Sequence, residues 1–237
     1  MPEEPTFSMR RYFGNKWRLK DFIWDSLVDY GIEVDNVHTV ADLFFGTGIV
    51  MHMFCQRFPN LRVAICNDSE PYTQTIMRGR LCNKDRDVDS GKLTNRLDKY
   101  LRDAKDMVDS DKSYNGGYIT RHMSKIDPVR QSRMFTRRNA KILDALFECI
   151  IPKTDHVAKL SAMEAMLRTS NGMGNFQSAM HSKLVRKQDI SLQLPVPRGI
   201  PSHIRAIFYC QLAENLVINL PDNVDIVYID PPYNTKA

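Results

Sequence analysis

Asp230-Pro231-Pro232-Tyr233 stands directly behind the apolar run 226–229, and its residue types suit a planar amine. Two consecutive prolines deny helical continuation and remove two N–H donors, so the carbonyls of this turn stay free to accept. An aromatic amino group is a poor nucleophile because its lone pair is delocalised into the ring. It attacks only when its hydrogens are held so that the lone pair turns toward the electrophile, and Asp230 with the Pro231 carbonyl offers the two acceptors required. Tyr233 can stack on a base, which must first leave a duplex to reach such a pocket. The bland alternative is an ordinary Asp-Pro turn closing a core strand.

A second constellation is Asp42-Leu43-Phe44-Phe45-Gly46-Thr47-Gly48, placed where an apolar strand passes into a helix. Its glycines let the backbone run close beneath a bound nucleoside. The third glycine of the dinucleotide fingerprint is missing, so a plain turn stays open as a reading. Asp68 follows a second strand, twenty positions beyond Gly48, about where a carboxylate accepts from both ribose hydroxyls. The competing role for Asp68 is a helix cap.

These residues need a parallel sheet to hold them. Thr39-Val40-Ala41-Asp42-Leu43 and Arg62-Val63-Ala64-Ile65-Cys66 read as buried strands, each followed by helical periodicity, through Ile49, Val50, Met53 and Phe54 and then over 72–82. Before them, Leu19, Phe22, Ile23, Leu27 and Tyr30 predict an amphipathic helix laying one stripe on a core, ended by Gly31. From about Asn83 charges crowd in and the apolar spacing turns helical. Thr136 is positioned to cap a helix carrying Ile142, Leu143, Leu146 and Ile150; Val157, Leu160, Met163 and Leu167 form another, stopped at Ser170-Asn171-Gly172. The proline-rich stretch 194–201 is a return linker. The core resumes with Ile207-Phe208-Tyr209 and with 224–229, whose apolar character calls for neighbours on both sides. The expected organisation is a cofactor-binding half over 1–84, an inserted recognition region over 85–200 and a return to the core over 201–237.

The chain has 237 residues, 43% hydrophobic and 26% charged, which excludes a disordered or membrane-embedded class. The start lacks a basic-then-apolar leader, and no apolar run approaches the ~20 residues of a membrane span, so the expected location is the cytoplasm. Cys55, Cys66, Cys82, Cys149 and Cys210 show no Cys-x-x-Cys pair and no matching histidine spacing, so no metal site is indicated; they read as buried thiols. A net charge of +5 permits a polyanionic partner without requiring one. The basic residues gather at Arg121, Lys125, Arg130, Arg133, Arg137, Arg138 and Lys141, and again at Lys183, Arg186 and Lys187. A solvated helix face is the plain account of that gathering, a phosphate-binding surface the functional one.

Taken together, the motifs resemble those of the adenine-specific DNA methyltransferase family of the Dam-like, or D12, class, over essentially the whole chain and in that family's order. Arg11-Tyr12-Phe13-Gly14-Asn15-Lys16 resembles its N-terminal motif, Asp42 to Gly48 its glycine motif, Asn67-Asp68 its ribose-binding acid and Asp230 to Tyr233 its catalytic tetrapeptide. Gly117 to His122, Arg133 to Thr136 and Thr169 to Gly172 are similar to the middle segments of one branch.

The resemblance implies a Rossmann-like α/β methyltransferase sheet with a mainly helical target-recognition region inserted. It implies S-adenosylmethionine as cofactor, held by Tyr12, Gly14, Lys16, Asp42, Phe44, Gly46, Gly48, Asp68 and Asp230, with Asn215 or Glu214 near the adenine. It implies duplex DNA as substrate and Asp230, Pro231, Pro232 and Tyr233 as the catalytic residues. Asp230 then orients the amine and stabilises charge, because an ordinary carboxylate is too weak a base to deprotonate a neutral amine outright. Phosphate contacts are expected from Arg133, Arg137, Arg138 and Lys183, and base reading from Arg121, His122 and Asn139.

Seven residues follow Asp230, whereas enzymes of this resemblance continue through several more strands and helices. The expectation is that further C-terminal sequence or a second polypeptide completes the sheet. An RNA or protein N-methyltransferase is a competing reading, disfavoured by the 182 positions between Gly48 and Asp230. A catalytically incomplete DNA-binding or regulatory subunit is the non-enzyme reading.

Overall fold

The computed structural model describes residues 16–84, 91–125, 134–169 and 188–231. The chain divides into two compact units, one containing Gly14–Asp89 and Arg198–Ala237, the other Ser90–Pro197. The first is built on four parallel strands, β1 (Thr39–Asp42), β2 (Val63–Asn67), β3 (Arg205–Tyr209) and β4 (Ile226–Tyr228), in the order β3-β2-β1-β4. β1 is buried along its whole length, and Ala64, Ile65 and Cys66 of β2 are equally enclosed. Both strands read as continuous apolar runs for that reason: a parallel strand covered on both faces has no polar side to alternate with. Helices α1 (Lys20–Asp29), α2 (Ile49–Arg57) and α3 (Thr73–Arg80) precede or link these strands, and the short α8 (Ala213–Val217) follows β3.

β1 has β2 on one side, in the register Val40↔Ala64, and β4 on the other, Val40↔Ile226. The chain therefore leaves β1 in one direction and comes back to its opposite side, which opens a crevice at the carboxyl ends of β1 and β4. β4 is fixed at both ends. The Asp225 carboxylate accepts from the backbone N–H groups of His38 (2.7 Å) and Thr39 (2.8 Å), and the Leu43 N–H donates to the Tyr228 carbonyl (3.1 Å). Its outer side differs from the sequence expectation of two neighbours. Among the described residues β4 is an edge strand, with Val227 40% and Ile229 59% exposed.

Two further expectations are corrected. α1 occupies the predicted span, and Gly31 at φ +92° follows it, but it buries no residue: Phe22 and Tyr30 are exposed, and its contact with the core runs through Trp24, whose ring lies 4.9 Å from that of Phe58. Cys55, Cys66 and Cys82 are buried thiols, whereas Cys149, within 146–150, and Cys210, directly after β3, are exposed.

In the second unit α4 (Lys92–Ser110), α5 (Tyr118–Met123), α6 (Arg137–Ala145), continued by a π-turn over Leu146–Ile150, and α7 (His156–Thr169) surround Leu93, Leu97, Leu101, Ile142, Leu143 and Leu160. Thr136 caps α6 as its sequence position implies, its hydroxyl accepting from the Asn139 N–H. Among the described residues no helix is long and apolar enough to cross a membrane.

Candidate active site

Between β1 and α2 the backbone turns through two left-handed glycines, Gly46 (φ +52°) and Gly48 (φ +68°). They serve different ends. A Cβ at Gly46 would meet only the Phe44 carbonyl oxygen, at 3.8 Å, so the space above it is open for a ligand to approach the backbone. A Cβ at Gly48 would overlap the Phe45 ring, so Gly48 is required by packing as well as by its φ. Gly48→Ala is accordingly expected to lower stability by about 2 kcal/mol, read as a fall in melting temperature, while Gly46→Ala costs less stability. Equal losses at both positions would show that φ alone sets the requirement.

The loop is tied to the end of β2 by two adjacent residues. Asp68 Oδ2 accepts from the Gly46 N–H (2.9 Å) and Oδ1 from the Glu70 N–H (3.0 Å). This local turn excludes the helix-cap role, since α3 begins after Tyr72 with no side-chain cap. Asn67, 1% exposed, donates from Nδ2 to the carbonyls of Leu43 (3.1 Å) and Gln211 (3.0 Å), while its backbone carbonyl accepts from the Phe45 N–H (2.8 Å). One amide therefore joins the segments that follow β1 and β3. Sequence reasoning gave this dipeptide's importance to Asp68 alone; the signal for Asn67 was a fully polar residue ending an otherwise apolar strand.

Three carboxylates, Asp42, Asp68 and Asp230, gather at the carboxyl ends of β1, β2 and β4. Asp42 is 1% exposed, and its carboxylate accepts from the Phe44 N–H at 3.1 Å. Burial pushes its pKa up to about 8, against the lowering effect of the Phe44 hydrogen bond, and the charges of Asp230 and Asp68 push the same way. Lys16 Nζ lies 2.7 Å from Asp230 Oδ2, with both side chains largely shielded from water. Thus the N-terminal lysine, expected to contact a cofactor, reaches the first residue of the tetrapeptide across the sequence. Pro231 is exposed at the strand end, and Asn215 is exposed on α8, one residue from Leu216, which packs with Ala41, Leu43 and Ile65. Phe44 packs against the same cluster. Tyr12, Gly14, Pro232 and Tyr233 lie outside the described residues.

The basic candidates fall in the helical unit. Arg121, His122 and Arg137 are exposed, on α5 and at the start of α6. Arg138 is bound by Asp109 through Nε (2.9 Å) and Nη2 (2.6 Å), so a phosphate there must compete with an existing ion pair. Asn139 is withdrawn from the base-reading group. It is 1% exposed, its Nδ2 donates to the Ile190 carbonyl (2.8 Å) and its Oδ1 accepts from the Thr136 hydroxyl (3.0 Å). Arg133 and Lys183 lie outside the described residues. Missed in the sequence was Asp144, a buried carboxylate on α6 that accepts from the N–H groups of Gly117 (2.8 Å), Ile119 (2.9 Å) and Thr120 (2.8 Å) and from the Thr120 hydroxyl (2.6 Å), fixing the start of α5.

Comparison with known proteins agrees with this geometry. The family description "D12 class N6 adenine-specific DNA methyltransferase" matches residues 12–237. The chain is 30% identical over 232 residues to the type II methyltransferase M.CviAII of Paramecium bursaria Chlorella virus 1. It is 25% identical over 235 residues to the type II methyltransferase M.NlaIII of Neisseria lactamica. Each alignment covers 95% of this chain and 64% of the relative, so the chain spans less than two thirds of the length of the relatives it matches. No solved structure matches. The motif order, the parallel sheet and the match along nearly the whole sequence converge on one statement: the chain belongs to the D12 class N6 adenine-specific DNA methyltransferase family.

Proposed function

We propose that this protein methylates the exocyclic amino group of adenine in duplex DNA, taking the methyl group from S-adenosylmethionine. The observation that carries the reading is the meeting of the open glycine loop, Asp42, Asp68 and the Lys16–Asp230 pair at the carboxyl ends of β1, β2 and β4. The residues present fit that cofactor. Asp68 and Asp230 set against one ammonium leave an acidic crevice, to which Asp42 adds charge as pH rises toward 8, and the open face of Gly46 leaves room beside the backbone for a cationic ligand.

S-adenosylmethionine supplies, when bound, a methyl group made electrophilic by a positive sulfonium. Asp68 offers its remaining lone pairs to the ribose hydroxyls, and Asp42 offers a carboxylate to positive charge. Asp230 accepts one hydrogen of the adenine amine and turns the nitrogen lone pair outward, while Lys16 fixes the rotamer and charge of that carboxylate. The Pro231 carbonyl accepts the second hydrogen. Ser90–Pro197 is the unit assigned to DNA recognition, with Arg121, His122 and Arg137 exposed on it.

The open edge of β4 favours a refinement: transfer requires further polypeptide, of the same chain or a second one, laid beside β4 and its exposed Val227 and Ile229. Calorimetry of S-adenosylmethionine binding, run beside labelled methyl transfer to unmethylated duplex, tests both statements. The chain alone is expected to bind the cofactor and to transfer methyl groups only when extended or supplemented. Absence of cofactor binding would overturn the enzyme reading in favour of a DNA-binding subunit, and full activity of the lone chain would overturn the refinement.

A further inference from the structure

We propose that His52 is a positioning residue that couples the two ligands: by holding the paired segments 82–84 and 198–200 against the first turn of α2, it makes S-adenosylmethionine and duplex DNA favour each other's binding. The proposal rests on the methyltransferase reading above and adds to it the link between the cofactor loop and the recognition unit.

The chain passes from the sheet-bearing unit into Ser90–Pro197 and re-enters it at Arg198. The stretches next to these two crossings lie side by side. The Ile200 N–H donates to the Cys82 carbonyl (2.9 Å) and the Lys84 N–H to the Ile200 carbonyl (2.9 Å), pairing Asn83 with Ile200 in parallel. Gly199 permits the approach. It stands at φ +66°, and a Cβ there would come within 2.8 Å of the Cys82 carbonyl oxygen and 3.0 Å of the Lys84 backbone.

His52 ties this pair to the cofactor loop. Its backbone N–H donates to the Gly48 carbonyl (3.0 Å), the bond by which α2 starts from the glycine loop, and its ring Nε2 lies 2.9 Å from the Gly199 carbonyl oxygen. Burial lowers the His52 pKa to about 4, and the charges of Arg80 and Arg198 act the same way, against the Gly199 hydrogen bond. The ring is therefore neutral at ordinary pH and has a single N–H, which the Gly199 carbonyl, able only to accept, places on Nε2. Arg80 closes the group: it is buried at the end of α3, with its Cδ 3.0 Å from where a Cβ on Gly48 would stand.

A ligand seated on the glycine loop holds Gly46 to Gly48 and, through the Gly48 carbonyl, the residue that holds both crossings. Whatever order the first ligand imposes on this block need not be imposed again by the second, and that is positive coupling. Filling the core would require only the volume of the ring; coupling requires its N–H.

The test is calorimetric titration of the chain at neutral pH, with S-adenosylmethionine in the presence and absence of unmethylated duplex fragments, and with the fragments in the presence and absence of cofactor. In wild type each ligand is expected to tighten the other by about tenfold, by the same factor in both directions. His52→Leu removes the donor and His52→Asn draws it back out of reach; both should bring the factor below about twofold, with each ligand's separate affinity within about threefold of wild type. His52→Gln, whose amide nitrogen stands where Nε2 does, should restore the coupling. Equal loss of coupling in all three variants, or lower separate affinities with an unchanged factor, would make His52 a packing residue and overturn the proposal. Hydrogen exchange in wild type needs no variant. Cofactor is expected to slow exchange of the Ile200 and Lys84 amides by about tenfold, and unchanged exchange overturns the proposal even if the leucine and asparagine variants do not fold. A chain that binds both ligands independently overturns this proposal alone, and one that lacks either binding overturns the methyltransferase reading as well.

Discussion

Asp230→Ala in the fully active enzyme is expected to lower the rate of methyl transfer by about 10³-fold, while cofactor affinity changes by less than about tenfold. A group aimed at the reacting nitrogen contributes mainly where the bond is forming, and loss of one such preorganised partner costs ~10²–10³ in rate. The Lys16–Asp230 pair adds to the loss, because removing the carboxylate leaves an ammonium facing the amine from which it should be screened. Asp230→Asn separates the two effects. It keeps the shape and one acceptor but gives up the charge, so it should retain more activity than alanine while still falling well below wild type. Single-turnover rates set against calorimetric Kd values provide the check. If rate and affinity fell together by the same factor, Asp230 would be a cofactor ligand and the orientation role would be lost.

Asp42→Asn should raise the melting temperature of the ligand-free chain at pH 8 and, in the same protein, weaken cofactor binding. In the folded state burial holds the Asp42 pKa near 8, against an ordinary 3.8. The native state thus keeps a proton that the unfolded chain releases, and the linkage slope is negative between those two values. The stabilising share is full below about pH 4 and is lost as pH rises toward 8. Asparagine can accept the same Phe44 N–H hydrogen bond without ionising. The difference between variant and wild type should therefore be near zero at pH 4 and on the order of 5 kcal/mol at pH 8, or about 10–20 °C in melting temperature. Cofactor affinity of the wild type should rise over the same pH window, as the carboxylate that meets a cation becomes charged, and that rise should disappear in Asp42→Asn. A pH-independent difference in melting temperature would show that Asp42 is ionised in the empty site.

The sequence by itself determined the positions of β1 and β2, because a parallel strand buried on both faces leaves an uninterrupted apolar run, marked the half-buried β3 and β4 as shorter apolar runs, and located Asp42, Gly46, Gly48, Asp68 and Asp230 at or just beyond the ends of strands. It also marked Thr136 as a cap, since capping is local and depends on three or four neighbouring residues. α4 was less legible. Its apolar positions Leu93, Leu97, Leu101 and Ala104 form a narrow stripe among many charges, and only packing shows that they are buried.

Tertiary structure decided what depends on residues distant in the chain. The pairing of Lys16 with Asp230 spans more than two hundred positions, and no local pattern encodes it. Asn139, expected from its sequence position to read bases, and Asp144, which no sequence pattern singled out, lie on the same helix, and both turn inward to satisfy backbone donors and acceptors that burial would otherwise leave unpaired. Spacing could place a side chain on an element; whether it faces solvent, a ligand or a buried amide was set by what the fold brought against it.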